Sequence, residues 1–186
     1  MQHKIKLRDR ILNVATDLFH RQGYNQTGVN QLIAEADIAY ASLYNNFSSK
    51  NDLLVAYLEK QSAEFFDGFD RFSKGAGGPR EILFKLIDYR IALQKDDFRG
   101  CPFTKIIAEI GTADPIVLRI VQQHKERQKR QLYELLVQID SPNLADNQLF
   151  ADSLFLMIEG AAVNSTVNKD VSPLECVRNF LLQVVG

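Results

Sequence analysis

"GYNQTGVNQLIAEADIAYASLYNNFSSKNDLL", residues 23–54, holds two short apolar periodicities with a three-residue break between them. Val29, Leu32, Ile33 and Ala36 recur at helical spacing behind Thr27 or Gly28 in the cap position, and Leu43 and Phe47 resume the pattern. Between them lie Asp37, Ile38 and Ala39, a tight turn whose central apolar residue can plug the corner. This is the plan of a helix-turn-helix. With Leu43 at the origin of a helical wheel, Phe47 falls at about 40°, so the outward direction lies at about 200°. Ala41 and Asn45 point that way, at about 160° and about 200°, with Tyr44 and Ser42 beside them. Tyr40, at about 60°, falls closer to the core side. An alanine lets a helix approach a base edge, while Ser, Asn and Tyr bond bases or phosphate oxygens without needing charge. Lys50, beside Ser48 and Ser49 where the next helix starts, adds a charged phosphate contact.

Outward from this stretch the chain reads as helix after helix. Ile11, Ala15, Leu18 and Phe19 precede it on one helical face, with Gly23 as a stop. A long pattern from Leu53 to Phe72 follows it and ends at "KGAGGP", residues 74–79. That run lacks the preceding strand and the Lys-Ser or Lys-Thr of a phosphate loop. Further helical patterns run over residues 80–95, 102–110, 114–137, 144–167 and 173–186, broken at "DDFRG", "GTAD", "SPN" and "NKDVS". No strand alternation persists, so the expected class is all-α.

Composition narrows the function classes. With 186 residues, 46% of them apolar, the chain buries a core without metals or disulfides. Cys101 and Cys176 are far apart and form no disulfide framework. No apolar run is long enough to span a membrane, and "MQHKIKLRDR" leads into an amphipathic segment rather than a signal core, so a cytoplasmic protein is expected. The net charge of −1 speaks against nonspecific polyanion binding by the whole molecule, yet Lys4, Lys6, Arg8 and Arg10 stand against Asp9 alone in the first ten residues. His3, His20 and His124 are the only histidines, and none sits in a nucleophile-and-base pattern. The Asp96–Asp97 pair has no identifiable partner acid, so no enzyme and no cofactor are expected. His124 lies in a helix rich in Gln, Lys and Arg and reads as a solvated residue, with no metal-ligand spacing around it.

Residues 23–54 resemble the DNA-binding segment of the TetR family of ligand-responsive transcriptional repressors. A Gly-aromatic pair, a threonine-capped helix, a tight turn, then "LY", "F", a Ser-Lys pair and a leucine stand in one register. The resemblance implies an N-terminal three-helix domain, residues 1–50, and a helical effector-binding and dimerisation domain, residues 51–186. It implies that Thr27, Tyr40, Ala41, Ser42, Tyr44, Asn45 and Lys50 face double-stranded DNA, with Tyr44 and Lys50 on phosphates. Asp37 stands where the family usually has glycine, Ala39 replaces a polar cap, and Asn45 and Asn46 replace bulkier residues. These departures bear on the operator sequence rather than on the motif. The resemblance further implies a homodimer whose last two long helices form the interface, released from DNA by a small-molecule effector.

Leu154, Phe155, Ile158, Ala161, Ala162 and Val163, then Val177, Phe180, Leu181 and Val184, suit either that interface or the chain's own core. Phe65, Phe66, Phe69 and Phe72, with Phe84, Phe98 and Phe103, supply aromatic surface for core or for an apolar pocket. The expected effector pocket is Phe65, Phe69, Phe84, Cys101 and Phe103. Pro102 suits the first position of a helix, which makes Cys101 its cap, near Arg99 and Lys105. A thiol so placed offers an alternative, a repressor that senses oxidants or electrophiles through Cys101.

Overall fold

The computed structural model describes residues 6–95, 97–139 and 146–186. His3, Lys4, Asp96, the "SPN" break and Leu144 lie outside them. The described residues form α1 (Leu7–Gln22), α2 (Val29–Glu35), α3 (Tyr40–Asn46), α4 (Lys50–Ser73), α5 (Pro79–Lys95), α6 (Pro102–Ile110), α7 (Pro115–Val137), α8 (Asn147–Asn168) and α9 (Ser172–Val185). No strand occurs among them, and the class is all-α with an N-terminal helix-turn-helix. Two compact units pack separately, one from the N-terminus to Ala63 with Pro102–Val121, the other from Glu64–Cys101 and Gln122–Gly186. Residues 6–50 fall wholly in the first.

In the first unit, α1 buries Ile11, Ala15, Leu18 and Phe19, and α4 buries Leu53, Leu54, Tyr57 and Leu58. Full burial of such a side chain is worth about 1.5–3 kcal/mol, which is what holds the short helices in place. Phe19 packs edge-on against both Tyr24 and Tyr57, with ring centroids 5.3 Å apart in each case. Helix α1 ends at Gly23, whose φ of 92° continues no helix and whose N–H donates to the Phe19 carbonyl. Gly28, not Thr27, caps α2, and Ala39 caps α3 without a side-chain bond.

The turn between α2 and α3 closes its helix in a specific way. The Ile38 N–H donates to the Ile33 carbonyl and the Asp37 N–H to the Ala34 carbonyl, both at 3.2 Å. That pair of bonds is the Schellman arrangement, which needs a left-handed residue at its centre. Asp37 takes that role with φ of 48°, and Arg10 Nη2 donates to its carbonyl at 3.0 Å.

The second unit buries a single cluster from the end of α4 and from α5, α7, α8 and α9, with Leu83, Ile87, Leu136, Leu154, Leu174 and Leu181 almost fully enclosed. Arg178 of α9 pairs with Asp88 of α5 at 2.6 Å, and Gln94 Nε2 donates to the Ala162 carbonyl at 3.0 Å. Asp146 caps α8 by accepting from the Gln148 and Leu149 N–H groups.

Left-handed backbone is costly for any residue with a Cβ, so Asp37→Gly should raise stability by about 0.5–1 kcal/mol, or roughly 1–4 °C in melting temperature. Asp37→Val should lower it. A destabilised glycine variant would show that the Asp37 side chain contributes more than its backbone strain costs.

Candidate nucleic-acid interface and ligand cleft

Helix α3 divides its side chains sharply. Leu43 is 3% exposed and Phe47, just past the end, 4%. Ala41, Tyr44 and Asn45 are exposed and Ser42 is half-buried, so the outward face carries no charged residue. Asn46 folds back, its Nδ2 donating to the Ser42 carbonyl at 2.8 Å. Tyr40 corrects the helical wheel: it is 59% exposed, because at the first residue of α3 the core-side direction already lies beyond the packed core. Its ring stands 4.8 Å from that of Tyr44. The side-chain hydrogen bond with Tyr40 raises the Tyr44 pKa above its ordinary value, which by itself already leaves the hydroxyl neutral at neutral pH.

Thr27 and Lys50 are placed differently from a simple DNA-facing pair. Thr27 is wholly buried, and its hydroxyl donates to the Gly23 carbonyl at 2.7 Å while accepting from Gln22 Nε2 at 3.4 Å. It holds the α1–α2 corner from inside, which corrects the expectation that it faces DNA. Lys50 Nζ donates to the Tyr24 carbonyl at 2.7 Å and lies 4.1 Å over the Tyr24 ring. Burial lowers its pKa, with the Glu109 charge opposing. An ammonium has three donors, so this bond does not exhaust it.

The same unit ties α6 and the start of α7 to this corner through polar contacts. Glu109 Oε2 accepts from the Asn25 N–H at 2.8 Å and the Glu109 carbonyl from Asn25 Nδ2 at 2.9 Å. Lys105 Nζ donates to the His20 carbonyl at 3.2 Å, and Asn51 Nδ2 to Asp114 Oδ2 at 2.7 Å. A Cβ at Gly23 would come within 2.8 Å of the Glu109 carboxylate, which would have to move, and the φ of 92° disfavours any side chain there. Asp114 also caps α7, accepting from the Ile116 and Val117 N–H groups.

The second unit contains a half-buried charge cluster. Glu159 of α8 accepts from Arg90 Nη2 of α5 at 2.6 Å and, more closely still, from Lys125 Nζ of α7. Burial pushes the Glu159 carboxyl up, but the Arg90 and Lys125 charges and their hydrogen bonds outweigh it and hold it below the usual range. His124 is 3% exposed, with the rings of Phe65 and Phe66 5.4 Å and 5.3 Å away. Burial lowers its pKa, the Lys125 and Arg90 charges add to this, and the imidazole titrates at about 3. Beside the cluster lies a cleft of about 270 Å³, counted with the solvent it opens to. Phe65, Leu86, Leu132, Phe155 and Ile158 form its apolar walls. Arg90, Gln128, Gln131 and Glu159 supply its polar ones.

Comparison with known proteins agrees with this architecture. Residues 11–57 match the sequence profile of the bacterial regulatory proteins of the tetR family. The HTH-type transcriptional regulator LmrA of Bacillus subtilis (strain 168) is 26% identical over 184 residues, spanning 94% of this chain and 96% of that protein. An uncharacterized HTH-type transcriptional regulator in the lacX 3′ region of Lactococcus lactis subsp. lactis is 21% identical over 173 residues, spanning 90% of this chain and 87% of that protein. A crystal structure of a TetR-family transcriptional regulator from Streptomyces coelicolor superposes with a TM-score of 0.84 at 26% identity, covering 97% of this chain and 96% of the other. The chain carries a tetR-type DNA-binding segment at residues 11–57 and is similar over nearly its whole length to HTH-type and TetR-family transcriptional regulators. It is a helix-turn-helix, DNA-binding transcriptional regulator, and among its described residues no helix is long and apolar enough to cross a membrane.

Within this chain the expected pocket residues separate. Phe65 lines the cleft, whereas Phe69 and Phe84 pack in or against the core of the second unit, and Phe103 is buried in the first. Cys101 is half-buried and accepts from Lys125 Nζ at 3.4 Å, while the amine of Lys105 goes to His20. His124 is corrected from solvated to buried. The residues missed were Arg90, Gln128 and Glu159. One left a clear trace, since Glu159 is the lone charge in the apolar run "LFLMIEGAAV", whereas Arg90 shares "LIDYRIAL" with Asp88.

A buried imidazole with a depressed pKa must take up a proton on unfolding at any pH between about 3 and the unfolded value of about 6.5. Its contribution to stability therefore falls with pH through that window. Relative to His124→Leu, the wild type should lose up to about 1.4 kcal/mol of unfolding free energy per pH unit below about 6.5, read by urea denaturation. A gap that does not change with pH would mean that the folded imidazole is protonated.

Proposed function

We propose that the chain is a homodimeric repressor that sets one α3 into each half of an inverted-repeat operator and leaves it when a small molecule occupies the cleft of the second unit. The observation that carries this reading is the outward face of α3, small at Ala41 and hydrogen-bonding at Tyr40, Ser42, Tyr44 and Asn45. Ala41 allows close approach to base edges, Asn45 is suited to an adenine edge, and Tyr40, Tyr44 and Lys50 suit phosphates. One short helix reads few base pairs, so a two-fold pair of heads is needed for a specific site.

The dimer rests on α8. Leu149, Leu156, Val163 and Val167 are 64%, 69%, 54% and 74% exposed. With Ser153 and Gly160 they fall within an arc of about 80° along one face of the helix. Leu154, Ile158, Ala161 and Ala162 on the opposite face, and Val177 and Leu181 of α9, are buried within the chain's own second unit instead. An apolar stripe with small residues in its centre fits a second copy of itself.

Release requires an effector that prefers the conformation unable to span both half-sites. The contacts of Glu109, Lys105 and Asp114 with the helix-turn-helix support α6 and the start of α7 as the elements that move it. The alternative of thiol-based release through Cys101 predicts that Cys101→Ser no longer responds to oxidant or effector. Unchanged release would remove it.

Selection from a random DNA library should recover a shared inverted repeat. On that site Asn45→Ala should relax base preference at one position per half-site, at a cost of about 1–3 kcal/mol, while Tyr44→Phe weakens all sequences alike. Leu156→Asp should sediment as a monomer and lose at least about a hundredfold in operator affinity. A variant that remains dimeric would move the interface away from α8.

A further inference from the structure

Gln128 is 6% exposed and lines the cleft, yet neither its Nε2 nor its Oε1 meets a hydrogen-bond partner among the described residues. Leaving both ends of a buried amide unsatisfied is costly, and native interiors avoid it except where something else completes the bonds. The cleft around it is apolar on most sides. Its charge is unbalanced: Arg90 and Lys125 face the one carboxylate of Glu159, and His124 beside them is neutral. The bond to Glu159 uses one of the five N–H donors on Arg90.

From this we infer that the cleft takes a small apolar carboxylic acid, its carboxylate held by Gln128 Nε2 and Arg90 and its hydrocarbon part by Phe65, Leu132, Phe155 and Ile158. This rests on reading the second unit as the effector-binding one. A carboxylate cancels the excess positive charge, whereas an amine adds to it. The apolar walls supply affinity and the Gln128 amide fixes orientation, the usual division of labour in a ligand pocket. Arg90 keeps its bond to Glu159 throughout, so no ion pair is broken on binding.

Three probes on one frame separate the possibilities: phenylacetate, phenylacetamide and phenethylamine, titrated by calorimetry into the full chain without DNA. Phenylacetate should bind at least tenfold tighter than either of the others. Gln128→Glu, checked by circular dichroism for an intact helical fold, should lose at least tenfold in phenylacetate affinity through charge repulsion. If that variant fails to fold, the wild-type order of the three probes decides alone. Equal or tighter binding of the amide or the amine, binding of none at millimolar concentration, or phenylacetate binding unchanged in folded Gln128→Glu would each overturn the assignment. Because no DNA is present, loss of operator recognition and failure of this ligand class are read separately.

Discussion

A seven-residue helix has no stability of its own in water, since nucleation consumes most of what its few hydrogen bonds return. Helix α3 exists because Leu43 and Phe47 are buried, and α2 because Leu32 and Ala36 are. The same burial decides which side chains are left facing out. Any sequence that anchors so short a helix through two apolar positions four residues apart presents the remaining face to solvent, and here that face carries no charge. The Schellman turn through Asp37 sets the angle between the two helices, and the Arg10 bond to its carbonyl ties that angle to α1. Recognition geometry in this chain is therefore a consequence of packing at four buried positions and one left-handed residue.

Helices α4 and α7 contribute residues to both compact units. In the first unit α7 begins at the Asp114 cap, whose second carboxylate oxygen is held by Asn51. In the second it carries His124, Lys125 and Gln128, three residues of the charge cluster and cleft. A half-buried carboxylate shared by two cations is a poor source of stability, because the desolvation of three charges offsets most of their attraction. Its worth lies in geometry: Glu159 fixes the register of α8 against α5 and α7 with bonds that hydrophobic side chains could not direct. A cluster with one surplus positive charge, beside an amide without partners, is tolerated more readily in a site that binds something than in one that only packs.

Much of the fold was legible because helical periodicity and capping residues are local. Gly23, Gly28, Asp114, Pro79, Pro102 and Pro115 all sit at the helix boundaries that their chemistry predicts. What escaped was decided by tertiary neighbours. The wheel placed Tyr40 toward the core, but a wheel carries no information about where the core ends along the axis. His124 looked solvated among Gln, Lys and Arg, since its own helix is polar around it. The rings of Phe65 and Phe66, distant in sequence on α4, enclose it. Thr27 has the register of a DNA contact and the burial of a core residue, a distinction only the Gly23 carbonyl could reveal. For the pocket, aromatic content was an incomplete signal. Phe69, Phe84 and Phe103 pack against protein and only Phe65 of the expected set lines the cleft, whereas Glu159, the lone charge in an apolar run, marks it.

Helix α8 brings these arguments together. Its sequence is apolar on two opposite faces, and such a helix is stable in water only when both are covered. One face is accounted for by α5 and α9 within the second unit. The other, from Leu149 to Val167, is continuous and is interrupted only by the small residues Ser153 and Gly160, which favour close approach of another helix. Glu159 lies between the two faces, anchored to Arg90 and Lys125. The carboxylate of the charge cluster and the exposed stripe thus share one helix, so the register that Glu159 sets against α5 and α7 also sets the direction in which the stripe faces.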